Sequence, residues 1–501
     1  MLRPDVSEFE TLAKRGFNLI PVCREIAADL ETPVSAFLKI AGERDYSFLL
    51  ESLTGGEKWA RYSFLGAEPS LVMKLKGGRM ELIPPHGGTP EIRRAGDPIA
   101  EIRRELARYR APELPYLPRF FGGAVGFLSY DLALAIEGLA SGHPGLETPE
   151  MCLTFTDTVL VFDNLSQKIK LIANVVLDGF GSIRAAYASA EKKIENLIAR
   201  LAGLPRTPAL SHRRGGPYEP AMVGGSRADY VAAMSRAREQ IVAGEALRIV
   251  PSVRFEAPLA AHPFNLYRGL RAISPSPYMF YLRLGDETIV GASPESMVRV
   301  EGREVTLRPT AGWRPRGASD AEDRSLESQM LADQIDRAAH LTLVDAARGD
   351  LGRIARVGSI EVTELMTVER YADEMLMVSN MRGILREGAD ALDAFSAAFP
   401  PGGASGLPRR RALELVDQLE PGRRGIFFGA VGYFSFVGNL DTAIASRTML
   451  VRDGRLHLRA AEPISPESDP AAAFESSLGQ ARAIGRAIAA AREFENGGAQ
   501  E

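Results

Sequence analysis

Hydrophobic and polar residues follow two different periods along this chain. Over residues 45–200 they alternate in short segments separated by polar turns, which is the pattern of strands in antiparallel sheets. From Arg227 onward the period lengthens to that of helices, and the helical stretches interleave with further strands. The pattern therefore predicts an α+β fold in which helices pack on large antiparallel sheets. The helices predicted in this second part are residues 229–243, 322–348, 409–419 and 470–492.

The change of pattern coincides with a candidate linker. A helical stretch, AAYASAEKKIENLIARLAGL, leads into residues 204–226, which are rich in Pro, Gly, Ser and Arg. We expect an N-terminal region over residues 1–203, this linker, and a second domain over residues 227–495.

One helical stretch, LADQIDRAAHLTLVDAARGDLGR (331–353), places a polar pair close to a predicted buried stripe. Asp336 precedes His340 by four residues, so a carboxylate and an imidazole share one face of the helix. Such a pair suits acid/base chemistry. A single histidine on a half-buried helix is more often a hydrogen-bonded core residue, and we favour that interpretation. The predicted stripe comprises Leu331, Ile335, Ala338, Ala339, Thr342 and Leu343.

Composition argues against several classes of function. The 501 residues carry a formal net charge of −4 and no basic block, so nucleic acid is not an expected partner. Cys23 and Cys152 stand far apart without a CxxC spacing, so neither a disulfide framework nor a zinc site is expected. The first residues, MLRPDVSEFE, lack the apolar stretch of a secretory signal, and no apolar run has the length of a membrane span. We expect a cytoplasmic protein with no membrane partner.

A Gly/Ser loop that runs into a helix, FPPGGASGLPRRRALELVDQLEP (399–421), is a candidate anion site. Backbone N–H groups and the positive end of a helix dipole can hold a carboxylate or a phosphate, and three arginines follow. A glycine-rich loop with an exposed basic first turn explains the same residues equally well. The sequence of the loop alone leaves both interpretations open.

Motifs in order along the chain resemble those of component I of anthranilate synthase, within the chorismate-utilising enzymes. The resemblance extends from about residue 20 to residue 490 and keeps the register of the motifs. It implies a two-subdomain α+β sandwich whose cleft holds chorismate and Mg²⁺. The segments that carry it are LLESLTGGEKWARYSFLG (49–66), FGGAVGFLSYD (121–131), SPSPYMFYL (274–282), IVGASPE (289–295), RPTAGWRPRG (308–317), SGLPRRRALELVDQLEP (405–421), RRGIFFGAVGYFS (423–435) and DTAIASRT (441–448).

The resemblance also implies a metal-binding and catalytic set, and this sequence departs from nearly all of it. Chorismate is a dianion that gains ammonia and loses pyruvate, so the family cleft needs a hard cation with oxygen ligands and groups that transfer protons. Where the family reads D-x-K-E-x-A-E-H, residues 333–340 read DQIDRAAH, and the family's catalytic histidine falls on Leu376. The departing positions are Ile335, Asp336, Ala339, Leu376, Gly403, Phe427, Ala473, Ser476 and Gln480.

Further changes enlarge side chains of the expected cleft or alter its charge. Trp313 stands where the family has Thr, the strand usually written RGVYGG reads RGIFFG with Phe427 and Phe428, and Arg248 stands for Gln or Lys. The family's glycine-rich strand reads AAEPISPESDP, which brings in Glu462 and Pro463. His340 and Arg447 still match family residues. We therefore expect no catalytic residue, no metal ligand and no Mg²⁺ in this protein.

The resemblance implies a second site that is retained, the family's feedback pocket for tryptophan. A carboxylate and a hydroxyl can bind an amino acid's ammonium group, and Pro, Tyr and Met can form an apolar wall for an indole. In the family this pocket is built from two motifs, L-L-E-S and N-P-S-P-Y-M-F. The first is intact here, and in the second only the leading Asn is changed, to Ser274. Packing between two sheets is the alternative role for these residues, and we favour a tryptophan site. The predicted ligand residues are Leu50, Glu51, Ser52, Pro277, Tyr278 and Met279.

The favoured function is therefore an anthranilate synthase component I-like protein that has lost its lyase activity and senses L-tryptophan, with a glutamine amidotransferase subunit or another regulated protein as partner. Neither cysteine lies in a nucleophile-elbow context, so no amidotransferase domain is expected in this chain. The first alternative is a working anthranilate synthase component I. It would hold its metal with Glu374, Glu462 or Glu467 and use Arg248 for substrate charge. The second alternative is metal-free binding of another anion by Arg248, Arg409 and Arg447, for which the bulky side chains leave little expected space.

Overall fold

The structure is a computed structural model that describes residues 1–42, 44–54, 61–85, 88–205, 208 and 220–496. The helices of this part of the chain are Val6–Lys14 (α1), Pro33–Ile40 (α2), Pro98–Leu106 (α3), Asp131–Ile136 (α4), Ile183–Leu201 (α5), Arg227–Val242 (α6), Pro263–Ile273 (α7), Asp320–Ala332 (α8), Gln334–Ile354 (α9), Ala391–Ala398 (α10), Gly402–Ser405 (α11), Arg409–Leu419 (α12) and Pro470–Asn496 (α13).

The strands are Leu2–Arg3 (β1), Leu19–Ala27 (β2), Tyr46–Glu51 (β3), Tyr62–Ala67 (β4), Leu71–Lys76 (β5), Arg79–Ile83 (β6), Glu91–Arg94 (β7), Gly123–Leu128 (β8), Met151–Thr156 (β9), Thr158–Asp163 (β10), Lys168–Val176 (β11), Ala221–Val223 (β12), Arg248–Ile249 (β13), Ser252–Pro258 (β14), Tyr278–Leu284 (β15), Thr288–Ser293 (β16), Ser296–Glu301 (β17), Glu304–Leu307 (β18), Thr310–Pro315 (β19), Glu361–Arg370 (β20), Glu374–Ile384 (β21), Gly406–Leu407 (β22), Ala430–Ser435 (β23), Leu440–Ile444 (β24), Thr448–Arg452 (β25) and Arg455–Ala461 (β26).

Two large sheets of antiparallel strands form the centre of the molecule. The first sheet has the order β1-β2-β11-β10-β4-β3-β15-β16-β25-β26-β14-β12, and the second has the order β19-β21-β18-β17-β24-β23-β8-β9-β5-β6-β7, with β20 paired to β21. A separate short ladder joins β13 to β22. The predicted α+β fold with large antiparallel sheets is confirmed.

The alternation of side chains along the strands fills three apolar layers. Phe48 and Phe280 of the first sheet meet Phe127 and Tyr433 of the second in a core between the sheets. The opposite face of the first sheet packs against α1, α2, α5, α7 and α13, and that of the second against α9 and α10. Both faces of most strands are therefore buried, and the two sheets present facing surfaces on which an internal pocket can form.

The two predicted regions are separated along the sequence by residues 204–226 and are joined in space. Strand β3 lies beside β15 in the first sheet, and β8 lies beside β23 in the second, so each sheet takes strands from both regions. Most of the predicted linker falls outside the described residues. No helix in the described part of the chain is long and apolar enough to cross a membrane.

The prediction of a single helix over residues 322–348 is wrong. The segment contains two helices, α8 and α9, because Asp333 leaves the helical conformation. The Asp333 side chain accepts hydrogen bonds from the backbone N–H groups of Ile335 and Asp336 at 2.8 and 3.1 Å. This N-cap sets the rotation of α9. Ile335, predicted to be buried, is 55% exposed, and the buried face instead comprises His340, Leu343, Val344, Ala347, Leu351 and Ile354.

Candidate functional site

A pocket opens between the two sheets where β3 and β15 run side by side. It is partly open to solvent, and its empty space together with the adjoining open solvent amounts to about 520 Å³. Leu50 and Ser52 come from the first motif and Pro277 and Tyr278 from the second, so the fold brings both halves of the predicted tryptophan site together. Further lining residues were not predicted from the sequence. These are Arg119, in the segment before β8, and Val431, Gly432, Tyr433, Asp441 and Ala443 of the opposing sheet.

The pocket combines an apolar wall with a few polar groups. The Ser52 hydroxyl is buried and has no hydrogen-bond partner among the described residues, so it is free to bind a ligand. Tyr278 donates its hydroxyl to Asp441 at 2.9 Å, and Arg119 donates to the other oxygen of this carboxylate at 3.2 Å. Burial first, and then the charge of Asp441, raise the pKa of Tyr278, which therefore stays neutral at physiological pH.

Glu51 and Met279 border this pocket, but their side chains contact the layer between the first sheet and its helices. The two residues are paired across β3 and β15, and Met279 packs in the core on the helix side of the sheet. The carboxylate of Glu51 accepts hydrogen bonds from Tyr267 and, at 3.0 and 3.2 Å, from Arg271, both on α7. In this arrangement the predicted contact between the Glu51 carboxylate and a ligand's ammonium group is not made, because that carboxylate is already bound on the other face.

A second polar cluster occupies the cleft that the resemblance assigns to catalysis. Arg447 forms an ion pair with Glu374 of β21 and donates to the Ser274 hydroxyl at 3.1 Å. The indole N–H of Trp313 donates to the same Glu374 side chain at 2.8 Å. Glu374 is 6% exposed and Trp313 is 53% exposed, so the indole lies over a buried ion pair. Leu376, two residues along the same strand, packs with Tyr371 and Val378.

Three further charged groups, Glu295, Glu462 and Arg248, have shifted pKa values. Burial and the charge of Glu374 raise the pKa of Glu295 to about 7. Glu462 accepts hydrogen bonds from Ser476 at 2.7 Å and Gln480 at 3.2 Å, both on α13. Burial raises the pKa of Glu462 as well. Burial lowers the pKa of Arg248, the third group, to about 10, against the charges of the two glutamates.

His340 and Asp336 have separate environments in spite of their helical spacing. His340 is fully buried, and its two ring nitrogens contact the Ser379 hydroxyl at 2.7 Å and the Ala311 carbonyl oxygen at 3.3 Å. Burial lowers the pKa of this imidazole, which favours its neutral form. Asp336 forms an ion pair with Arg314 at 2.7 Å. The structure thus gives His340 the contacts of a satisfied core residue.

The predicted anion loop is short and its arginines are occupied. Gly402 and Gly403 begin the four-residue helix α11. Arg409 binds the Asp350 carboxylate at 2.6 Å and the Ala397 carbonyl oxygen at 2.8 Å, and Arg410 donates to the backbone of residue 137. The basic first turn of α12 therefore holds neighbouring elements together.

Comparison with known proteins places this architecture in a family. The sequence profile of the chorismate binding enzymes matches residues 47–484. This chain belongs to the chorismate binding enzyme family. Anthranilate synthase component 1 of Pseudomonas putida is 42% identical over 493 residues, which are 97% of this chain and 98% of that protein. The component 1 of Acetivibrio thermocellus is 38% identical over 499 residues, 99% of this chain and 100% of that protein.

Two solved structures share the fold. Anthranilate synthase component I from Streptococcus pneumoniae superimposes with a TM-score of 0.75 at 29% identity, covering 92% of this chain and 99% of that one. MenF, the menaquinone-specific isochorismate synthase from Escherichia coli, gives a TM-score of 0.68 at 15% identity, covering 96% and 99%. The predicted resemblance to anthranilate synthase component I within this family is confirmed over nearly the whole chain.

The residues present in the family cleft do not fit a Mg²⁺ ion. Ala339 and Ala473 stand at the positions expected for metal-binding glutamates, and neither side chain has an oxygen. The carboxylates that could replace them, Glu374 and Glu462, are engaged by Arg447 and by α13, and Glu467 lies exposed. Within the described residues, no three side chains of His, Cys, Asp or Glu lie close enough together to hold a metal ion.

Proposed function

We propose that this protein is a non-catalytic member of the chorismate binding enzyme family that binds L-tryptophan between its two sheets. The observation that carries the proposal is the ion pair between Arg447 and Glu374. Arg447 is the guanidinium that the resemblance assigns to the substrate, and here a carboxylate of the same chain neutralises it. A dianion such as chorismate would have to displace that carboxylate without a metal to compensate its own charge.

The expected loss of rate follows from these substitutions. Metal ions stabilise transition-state charge by several kcal/mol, and about 1.4 kcal/mol corresponds to a tenfold change in rate. Losing about 4 kcal/mol of this stabilisation slows the reaction about a thousandfold. Leu376 in addition removes the proton-transfer group that the resemblance implies, so we expect no physiological turnover.

The inter-sheet pocket supports the second half of the proposal. An indole needs flat apolar walls, which Leu50, Pro277 and the ring of Tyr433 provide. An amino acid's polar end needs hydrogen-bond partners, and the unpaired Ser52 hydroxyl offers one. Ligand binding between two sheets can favour one arrangement of them over another, which a partner can recognise. The partner class is a glutamine amidotransferase subunit, which the resemblance implies, or another protein regulated by tryptophan.

Isothermal titration calorimetry with L-tryptophan tests the binding half. We expect saturable heat for the wild-type chain and at least about tenfold weaker binding for Ala443→Leu, because the larger side chain fills the pocket. Ala28→Leu, at a half-buried position outside the pocket, is the matched control and should bind as the wild type does. Absence of saturable heat in the wild-type protein would refute tryptophan binding.

The alternative function is a working anthranilate synthase component I. The observation in its favour is the 42% identity to the Pseudomonas putida enzyme over 97% of this chain. Incubation with chorismate, ammonium and Mg²⁺, followed by anthranilate fluorescence, separates the two proposals when that relative is the positive control. We expect a signal at the level of the enzyme-free reaction. Turnover comparable to that of the relative would refute the non-catalytic assignment and would leave the calorimetric result unaffected.

A further inference from the structure

The inter-sheet pocket contains an ion pair whose two members both line it. Arg119, in the segment before β8, donates from Nη2 to a carboxylate oxygen of Asp441 on β24 at 3.2 Å. The two side chains are 14% and 5% exposed. Asp441 lies opposite Tyr433 on the neighbouring strand, whose ring packs in the core between the sheets, so the carboxylate faces the first sheet. Its hydrogen bond from Tyr278 of β15 at 2.9 Å agrees with this direction.

Among the described residues that line the pocket, only this pair offers charged groups to a ligand. The third charged lining residue is Glu51, whose carboxylate is bound by Tyr267 and Arg271 on the helix side of the first sheet. The described lining therefore presents one positive and one negative group within an apolar wall. Because a charge that enters such a site must find a partner, the pocket favours a ligand with one charge of each sign.

Both members of the pair have unused capacity for hydrogen bonds. Arg119 donates from Nε to the Tyr433 hydroxyl at 3.1 Å and from Nη2 to Asp441, and its Nη1 atom donates to no described residue. A guanidinium has five N–H donors, so some remain for a ligand's carboxylate. Each oxygen of Asp441 accepts one hydrogen bond, from Tyr278 or from Arg119, and has a second lone pair. Asp441 can therefore accept a further hydrogen bond from an ammonium group.

A zwitterion can join this ion pair without breaking it. Its carboxylate adds to the arginine and its ammonium group to the aspartate, so no net charge enters the pocket. The pair of Arg447 and Glu374 in the cleft is different, because a dianion would have to displace the carboxylate there. An α-amino acid has its two charged groups on one carbon atom. This spacing suits a donor and an acceptor that already lie within hydrogen-bond distance of each other.

We propose that the ion pair of Arg119 and Asp441 recognises the zwitterionic end of an α-amino acid in the inter-sheet pocket, with Arg119 binding the carboxylate and Asp441 the ammonium group. The pair selects the free amino acid over indole compounds that carry a single charge. This inference rests on the proposed binding of L-tryptophan and names the residues that determine its specificity.

Three indole compounds with a two-carbon chain between the ring and the charged end test the full-length wild-type protein by calorimetry. L-tryptophan carries both charges, tryptamine carries only the ammonium group, and indole-3-propionate carries only the carboxylate. We expect L-tryptophan to bind at least about tenfold more tightly than either analogue, because one member of the pair repels a single charge. Equal affinity for all three would overturn the inference and leave tryptophan binding intact. Absence of saturable heat with L-tryptophan would refute the proposed function and the inference together.

Two single variants test which charge each residue binds. Asp441→Asn keeps the shape of the side chain and should lower the ratio of tryptamine affinity to indole-3-propionate affinity at least about tenfold. Arg119→Gln should raise the same ratio at least about tenfold. A merely structural role would weaken the binding of all three compounds alike. An unchanged ratio, or a shift in the same direction in both variants, would therefore overturn the inference.

The matched controls break equally buried ion pairs outside the pocket. Asp323→Asn removes a carboxylate that is 4% exposed and bound to Arg316, and Arg409→Gln removes a guanidinium that is 12% exposed and bound to Asp350. Neither position lines the pocket, so both variants should keep the wild-type ratio of affinities. A shifted ratio in either control would count against the inference.

The double variant Arg119→Gln/Asp441→Asn removes both charges and leaves neither residue as an unpaired ion. It should lose the preference for L-tryptophan over the two analogues, and a preference that persists would overturn the inference. Far-UV circular dichroism shows whether each variant is folded. For any variant that does not fold, the comparison of the three compounds on the wild type decides.

Discussion

Replacing Glu420 with Gln should destabilise the whole chain, because this carboxylate is the shared counter-ion of two buried arginines. Its side chain is 4% exposed, and those of Arg424 and Arg459 are 2% and 7% exposed. Glu420 accepts hydrogen bonds from Arg424 at 2.6 Å, from Arg459 at 3.1 Å, and from the backbone N–H of Ser252 at 2.7 Å. The cluster joins the end of α12 to β14 and β26 and fixes the segment that leads to Phe428.

The size of the effect follows from which charges remain. Glu420→Gln keeps the shape of the side chain but leaves two guanidinium groups in the interior without a carboxylate. Removing one partner of a buried ion pair costs about 3–5 kcal/mol. We expect the free energy of unfolding to fall by that amount, measured by urea unfolding with far-UV circular dichroism. Combining Glu420→Gln with Arg459→Met should cost less than the sum of the single changes, because it removes one uncompensated charge.

The matched control is Glu304→Gln. Glu304 forms an exposed ion pair with Arg382 at 3.7 Å, so its replacement should change the free energy of unfolding by less than about 1 kcal/mol. A loss of less than about 1 kcal/mol in Glu420→Gln would refute the reasoning. It would mean that water or the backbone carbonyl groups compensate the two arginines without the carboxylate.

Three smaller predictions concern individual side chains. Tyr278→Phe should weaken L-tryptophan binding less than about tenfold in calorimetry, because the ring stays and only its hydrogen bond to Asp441 is lost. Phe428→Ala should unfold at lower urea than Phe428→Gly, because residue 428 has φ +61° and only glycine adopts this conformation without strain of about 1 kcal/mol. Burial raises the pKa of Glu420, but the two arginines outweigh it and hold the pKa below its ordinary value. The ionised Glu420 carboxylate therefore stabilises the fold above its unfolded pKa of about 4.3, and this stabilisation is lost as the pH falls through its folded pKa. Melting temperatures should fall more steeply below about pH 4.3 for the wild type than for Glu420→Gln.

The sequence predicts those parts of the fold that depend on local periodicity. The helix predicted over residues 409–419 has the same bounds in the structure, because its apolar positions recur every three or four residues and a proline precedes it. The helix predicted over residues 322–348 divides at Asp333, because one capping side chain outweighs the apolar period around it. The rotation of α9, and hence the exposure of Ile335, depends on that cap. An apolar stripe predicted for an uninterrupted helix could not show that Ile335 is exposed.

The inter-sheet pocket was predictable only in part, for a similar reason. The motifs around Ser52 and Tyr278 were found because their residue types suit an amino acid. Asp441 comes from the other sheet and Arg119 from the segment before β8, and neither motif shows how the two sheets pack together. Period-two alternation does assign residue 51 to the face opposite residues 50 and 52. That signal was present in the sequence, and it indicates that the Glu51 carboxylate points away from the pocket.

The cleft shows why lost residues are easier to predict than what replaces them. Leu376 marks a missing histidine in the sequence, but nothing near it shows that Glu374, on the same face of β21, pairs with Arg447. The acidic residue and the arginine are more than seventy positions apart, so only the fold brings them together. The ion pair changes the expected role of Arg447. This residue matches the family in sequence, but in the structure Glu374 neutralises its charge. If Glu374 is the main counter-ion of Arg447, Glu374→Gln should lower the free energy of unfolding in urea by more than about 1 kcal/mol, because only the more distant Asp373 is left to compensate the guanidinium.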